Sequence, residues 1–134
     1  MAFKDIFQPG DSREETFQVG EEHTAEHIGS GDSRVLSTPS MISFMEQVSH
    51  RLLKEKLPRE KISVGIAVDI RHLAATPVNG QVSVRAELLE INKNRLLFEV
   101  SARDEWETIG EGQHRRAVID RTRFLGMIEN KADR

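Results

Sequence analysis

The chain has 134 residues, enough for one compact domain that buries its own core. Apolar residues make up 37% and charged residues 31%, and 19 basic against 22 acidic side chains leave a net charge of -3, which gives no electrostatic case for a nucleic-acid binder or for a polybasic membrane anchor. Cysteine is absent, so disulfides, thiolate nucleophiles and cysteine-ligated metals are excluded.

Met1 to Gln8 holds one lysine and no apolar run, so no signal peptide is expected. No stretch approaches the roughly 20 apolar residues of a membrane helix, and a cytoplasmic protein is the expectation. Residues 1–13, with Pro9, Gly10 and Asp11, read as a loop, and Thr16 to Gly20 as a short strand. Glu21 to His27 is polar and ambiguous; Gly29 to Ser33 is a loop by composition. Thr38-Pro39-Ser40 then opens an amphipathic helix, with Thr38 as N-cap and Pro39 at the first helical position. Met41, Ile42, Phe44, Met45, Val48, Leu52 and Leu53 fill one wide arc of that helix. It runs to about Lys56, before Pro58, for a length of roughly 27 Å.

After Pro58 the period changes to two. Ile62, Val64, Ile66, Val68 and Ile70 alternate along a half-buried strand, and His72 continues the same face. Ala74 to Gly80 is a turn, Val82 to Leu88 alternates again, and Asn92-Lys93-Asn94 is a hairpin connection. Leu96 to Ala102 forms the next strand, Asp104 to Gly112 contains a turn, and Gln113 to Asp120 makes the last strand. The ends, 1–13 and 129–134, are expected to be flexible. Periodicity thus leads to an α+β domain over 1–134, one long helix on an antiparallel sheet.

Several residues support more than one role. Glu46 sits at the rim of the apolar arc, as a general base or as a surface partner of His50 one turn on. His72 is a catalytic imidazole or a satisfied interior one. Gly65 breaks a β-branched run, which marks a bulge or a close approach of a ligand to backbone. His23 and His27 match H-x-x-E-H, but Gly20 and Gly29 bracket too short a segment for the helix that motif needs, and no metal is expected. Arg115 and Arg116 are neighbours on a strand and must face opposite sides.

From Ser37 to Asp120 the chain resembles the thioesterase branch of the hotdog superfamily, and within it the fluoroacetyl-CoA thioesterase-like group. The resemblance rests on Thr38 leading into Met45-Glu46, on Ser63-Val64-Gly65, on His72-Leu73-Ala74-Ala75-Thr76-Pro77, and on Ile109-Gly110-Glu111-Gly112 with His114-Arg115-Arg116. It implies a hotdog fold, a curved sheet around one central helix. It also implies a homodimer, or a dimer of dimers, joined sheet edge to sheet edge, with active sites at the subunit interface. By position it implies Thr38, Glu46 and His72 as catalytic residues, Gly65 as a backbone contact near the thioester carbonyl, and Arg116 as a substrate-proximal residue. The fluoroacetyl-specific pattern carries an aromatic lid before the helix, whereas here no aromatic residue lies between Phe17 and Phe44.

The implied reaction is hydrolysis of a small acyl-CoA, with no metal or redox cofactor and no nucleic-acid or membrane partner. Two other functions fit the same fold: an acyl-CoA hydratase or dehydratase, and a non-catalytic acyl-CoA-binding module.

Overall fold

The computed structural model describes residues 3–133. In chain order the elements are β1 (Ser12–Gln18), a one-turn helix α1 (Ala25–Ile28), α2 (Thr38–Lys54), β2 (Lys61–His72), β3 (Gln81–Asn92), β4 (Arg95–Arg103), β5 (Thr108–Asp120) and α3 (Arg121–Ala132). All strand pairs are antiparallel, in the order β1-β3-β4-β5-β2, so β1 and β2 are the two edges.

The alternation in β3 and β4 reads directly as burial. Val82, Val84, Ala86, Leu88, Phe98 and Ala102 are fully buried, and Leu96 and Val100 nearly so. They form one apolar face, and Met41, Phe44, Met45, Val48, Leu52 and Leu53 of α2 close over it. Burying each of the larger of these side chains contributes about 1.5–3 kcal/mol against the chain entropy lost. Phe17 of β1 stacks on Phe44 at 4.3 Å between ring centroids, which ties the first edge to the helix. Phe7 is fully buried, so the segment read as a loop before Ser12 anchors itself in the core.

Two expectations need correction. Ser37, not Thr38, caps α2: its side chain accepts from the Ser40 N–H, while Thr38 and Pro39 are the first two helical residues. The sequence offers two adjacent hydroxyls before Pro39, and the buried one takes the cap. Second, Ile62, Val64, Ile66, Val68, Ile70 and His72 do not share a face. The register against β5 shifts between Gly65 and Ala67, which leaves Ile66 as a bulge. Ser63 and Gly65 pair with Val118 and Arg116; beyond the shift, Val68 and His72 pair with His114 and Gly110. Directly paired residues share a face. Gly65 and His72 therefore both look toward α2, although one is odd and the other even.

The chain from Arg121, unassigned by periodicity, forms α3, capped by Asp120 through the Arg123 N–H, and the charged residues from Glu129 continue it. Among the described residues no helix is long and apolar enough to cross a membrane.

Loss of the Ser37 hydroxyl should leave one N–H at the start of α2 unpaired. Ser37→Ala is expected to lower unfolding stability by about 1 kcal/mol in denaturant titration. An unchanged midpoint would mean that Thr38 can take over the cap.

Candidate active site

Two groups of polar side chains lie along the row Thr38, Ile42, Glu46, His50, spaced four residues apart on α2. At the N-terminal end, Thr38 Oγ1 lies 2.8 Å from His72 Nδ1. Because Ser37 does the capping, the Thr38 hydroxyl is free to make this contact. Burial lowers the His72 pKa below the ordinary histidine value, a shift opposed by a backbone contact at Ala74. The ring is then neutral near pH 7, and with its proton on Nδ1 it donates to Thr38 Oγ1, which leaves the Thr38 O–H free to donate elsewhere. The His72 Nε2 itself is shielded and has no hydrogen-bond partner among the described residues. Beside this pair opens a cleft of about 470 Å³, whose lining includes Ser30, Gly31, Ser33 and Ala75.

The second group surrounds Glu46, two turns and roughly 12 Å further along α2. Its carboxylate is partly exposed and stands 3.8 Å from the Arg116 guanidinium; Arg116 is nearly buried. Arg116 donates from Nε to the Ser63 hydroxyl at 3.0 Å and from a terminal nitrogen to the Ser63 carbonyl at 3.2 Å. Its other terminal nitrogen donates to His114 Nε2 at 3.1 Å. His114 Nδ1 lies 2.8 Å from the Ala67 carbonyl, so the proton sits on Nδ1 and His114 is the neutral acceptor for Arg116. Burial lowers the His114 pKa, consistent with that state. Burial also lowers the Arg116 pKa, while Glu46 opposes the shift; a guanidinium remains charged regardless.

Gly65 completes the group. A Cβ there would lie 2.6 Å from Glu46 Oε2, 3.3 Å from His114 Cε1 and 3.4 Å from an Arg116 terminal nitrogen. Only a residue without a side chain lets the carboxylate approach the strand backbone.

The candidates of the sequence therefore fall into two sets. Thr38 meets His72; Glu46 meets Gly65 and Arg116. The ion pair of Glu46 within 4 Å is with Arg116, and none forms with His50. Arg115 is exposed on the opposite face from Arg116. Ser63 and His114 carry no role in the sequence reading, though His114, Arg116 and Val118 alternate on one face of β5. His23 and His27 stand on separate turns; His23 Nδ1 accepts from the Gly20 N–H, and its ring lies edge-on to Phe44.

Solved structures share this arrangement of strands and helix. A hot-dog-like protein from Thermanaerovibrio acidaminovorans superposes with a TM-score of 0.91 over 98% of this chain and 97% of its own, at 21% identity. The fold is thus the hotdog fold, of the α+β class. A crystal structure of a mutant fluoroacetyl-CoA-specific thioesterase superposes at 0.88 over 93% of this chain and 97% of its own, at 31% identity. The fluoroacetyl-CoA thioesterase of Streptantibioticus cattleyicolor is 37% identical over 97 residues, 72% of this chain and 70% of that protein. Residues 19–122 match the family model described as fluoroacetyl-CoA-specific thioesterase, and the chain belongs to that family. It is a hotdog-fold thioesterase.

Three partly or fully buried imidazoles make stability depend on pH. His50, His72 and His114 all have folded pKa values below the ordinary one, with burial the largest cause in each. The unfolded chain takes up these protons near pH 6.5 and the folded chain only at lower pH. Stability should be fully present above pH 6.5 and fall as the pH drops below it. A melting temperature lower at pH 5.5 than at pH 7.5 is expected, with a shallower slope for His114→Asn. A flat profile would contradict the neutral His114.

Proposed function

We propose that the protein is a cytoplasmic homodimer that hydrolyses a small acyl-CoA, with Glu46 as the catalytic carboxylate and Thr38 and His72 acting with it. The observation that carries this reading is the approach of Glu46 to Gly65, which holds a partly exposed carboxylate over bare strand backbone beside a fixed cation. A thioester carbonyl laid against Gly65 would meet Glu46 directly. Glu46 then removes a proton from attacking water, or attacks the carbonyl itself to give an anhydride that water later hydrolyses; in either case the tetrahedral intermediate collapses with cleavage of the C–S bond, and the CoA thiolate leaves and takes up a proton. The oxyanion is stabilised by backbone N–H groups near Gly65 and by the Thr38 hydroxyl at the positive end of α2. The neutral His72 orients that hydroxyl and transfers protons. Base and donors suffice for this hydrolysis, so no metal or redox cofactor enters the scheme. In its support, a variant of the related thioesterase, at 30% identity and a TM-score of 0.88, was solved with acetyl-CoA.

The dimer is proposed to form along β2. That strand is an open edge, and Ile66 and Val68 on it are 43% and 46% exposed. An apolar open edge is a template for pairing. These residues also lie between the two polar groups. The separation of about 12 Å within one chain supports a shared site, in which Thr38–His72 of one protomer serves the Glu46–Gly65 group of the other. The acyl group is taken to be small, as in that acetyl-CoA complex, and not specifically fluoroacetyl, since no aromatic residue lies between Phe17 and Phe44 to form a lid.

Glu46→Gln keeps the shape and removes the basic oxygen. Release of CoA is expected to fall by on the order of 10²–10⁴ with an unchanged melt, and His72→Ala should fall too, with a double mutant below the sum. Equal rates for wild type and Glu46→Gln would remove Glu46 from the chemistry. Mixing the two inactive single variants distinguishes a shared site from one built within a chain. Random reassortment gives heterodimers with one intact shared site, so about a quarter of wild-type activity should return. No recovery would place both groups in one protomer, and light scattering that finds a monomer at micromolar concentration would overturn the dimer itself.

A further inference from the structure

Between the end of α2 and the start of α3 lies a cleft of about 390 Å³ that the catalytic scheme does not use. Lys54, Arg59, Lys61 and Arg121 line it, with His50 and Ser63 at the end nearer the catalytic carboxylate. No acidic side chain lines it. Among the described residues, none of these four cations is in an ion pair within 4 Å. Two neighbouring acids are otherwise engaged: the Asp120 carboxylate caps α3 through the Arg123 N–H, and the Glu55 carboxylate, next to Lys54 in sequence, pairs with Arg13. Arg121 is itself oriented, since its Nε donates to the Arg59 carbonyl at 3.1 Å. Positive charge around His50 also lowers its pKa, with Arg116, Lys54 and Arg51 adding to burial.

Three other clefts among the described residues lack this character. The one beside Thr38 and His72 has no lysine or arginine in its lining. The one on β2, β4 and β5 sets Asp69, Glu99 and Glu111 against Arg71. In the one at Arg13 and Arg51, both arginines are already paired, with Glu15 and Glu55.

Position completes the argument. Ser63 belongs to both regions, because its hydroxyl holds Arg116 and its residue lines the cationic cleft. Lys54 is eight residues beyond Glu46 on the same helix, roughly 12 Å along the axis. A thioester at Glu46 whose CoA arm passes His50 and Ser63 would bring its phosphates to these cations.

We infer that Lys54, Arg59, Lys61 and Arg121 form the subsite for the phosphates of the 3′-phospho-ADP portion of CoA. This rests on the acyl-CoA reading above and adds to it the place where the nucleotide end is held. Phosphate favours such sites through charge-assisted hydrogen bonds, with arginine supplying a planar fork and lysine a point charge.

The test compares acyl-CoA, acyl-dephospho-CoA and the S-acyl pantetheine thioester on wild type and on Lys54→Ala/Arg59→Ala. The double variant should raise KM for acyl-CoA by roughly 10-fold, raise it less for acyl-dephospho-CoA, and so narrow the preference for CoA over pantetheine esters. Arg103→Ala, at the other end of the sheet, should leave that preference unchanged. Wild-type KM for acyl-CoA should also rise with ionic strength, and that for the pantetheine ester should not; this arm holds even if the double variant fails to fold. Equal KM changes on all three esters, or no change, would overturn the subsite. If wild type hydrolyses none of the esters, the thioesterase reading fails on its own. Calorimetric titration with CoA against pantetheine then still decides the subsite: weaker CoA binding by the double variant supports it, and unaltered binding refutes it.

Discussion

A single extra residue in β2 determines which side chains face the central helix. Side chains alternate along a strand, so a slip of one residue turns every later position to the other face. The slip falls between Gly65 and Ala67. Gly65 lies seven residues before His72, and in a regular strand the two would point apart. The bulge brings both to the α2 side, Gly65 under Glu46 and His72 against Thr38. The missing side chain at Gly65 then allows the carboxylate to approach, and the Ala67 carbonyl, the first paired position past the bulge, accepts from His114 Nδ1. Much of the site's geometry follows from this one irregularity on an edge strand, where ladder bonds are cheapest to lose.

The second dependence is electrostatic. Arg116 is a nearly buried charge, and a charge in that position destabilises the fold unless its donors are used. Ser63 takes two of them and His114 one, which aims the remaining charge at Glu46. The imidazole of His114 must stay neutral for this, because an imidazolium has no lone pair to accept with. The four groups thus hold one another: the bulge sets His114, His114 and Ser63 set Arg116, and Arg116 faces the carboxylate.

Much of this fold is legible in the sequence because it depends on periodicity. The helix from Thr38 and the alternation of Val82 to Leu88 and Leu96 to Ala102 name the core correctly, since apolar pattern and burial are the same physical demand. The bulge escapes that reading. Ile62 to Ile70 alternates without a break, and Gly65 only hints at the slip. The cap escapes for a related reason, because Ser37 and Thr38 are equivalent as cap formers and only packing selects between them. His114 and Ser63 were not distinguishable as partners of Arg116, since their roles come from pairing across strands distant in sequence. Helix α3 carries Gly126 in its interior, which weakens any local helix signal. The positions of Thr38, Glu46, Gly65, His72 and Arg116 came from family resemblance; which of them touch is a property of the folded chain.

The central claim, that the thioester is attacked at the meeting point of Glu46 and Gly65, is tested most directly by a crystal structure with a non-hydrolysable thioether analogue of an acyl-CoA. The account predicts the atoms flanking the sulfur in contact with the Gly65 backbone and within reach of the Glu46 carboxylate. An analogue seated away from both, for example in the cleft lined by Asp69 and Glu111, would contradict it.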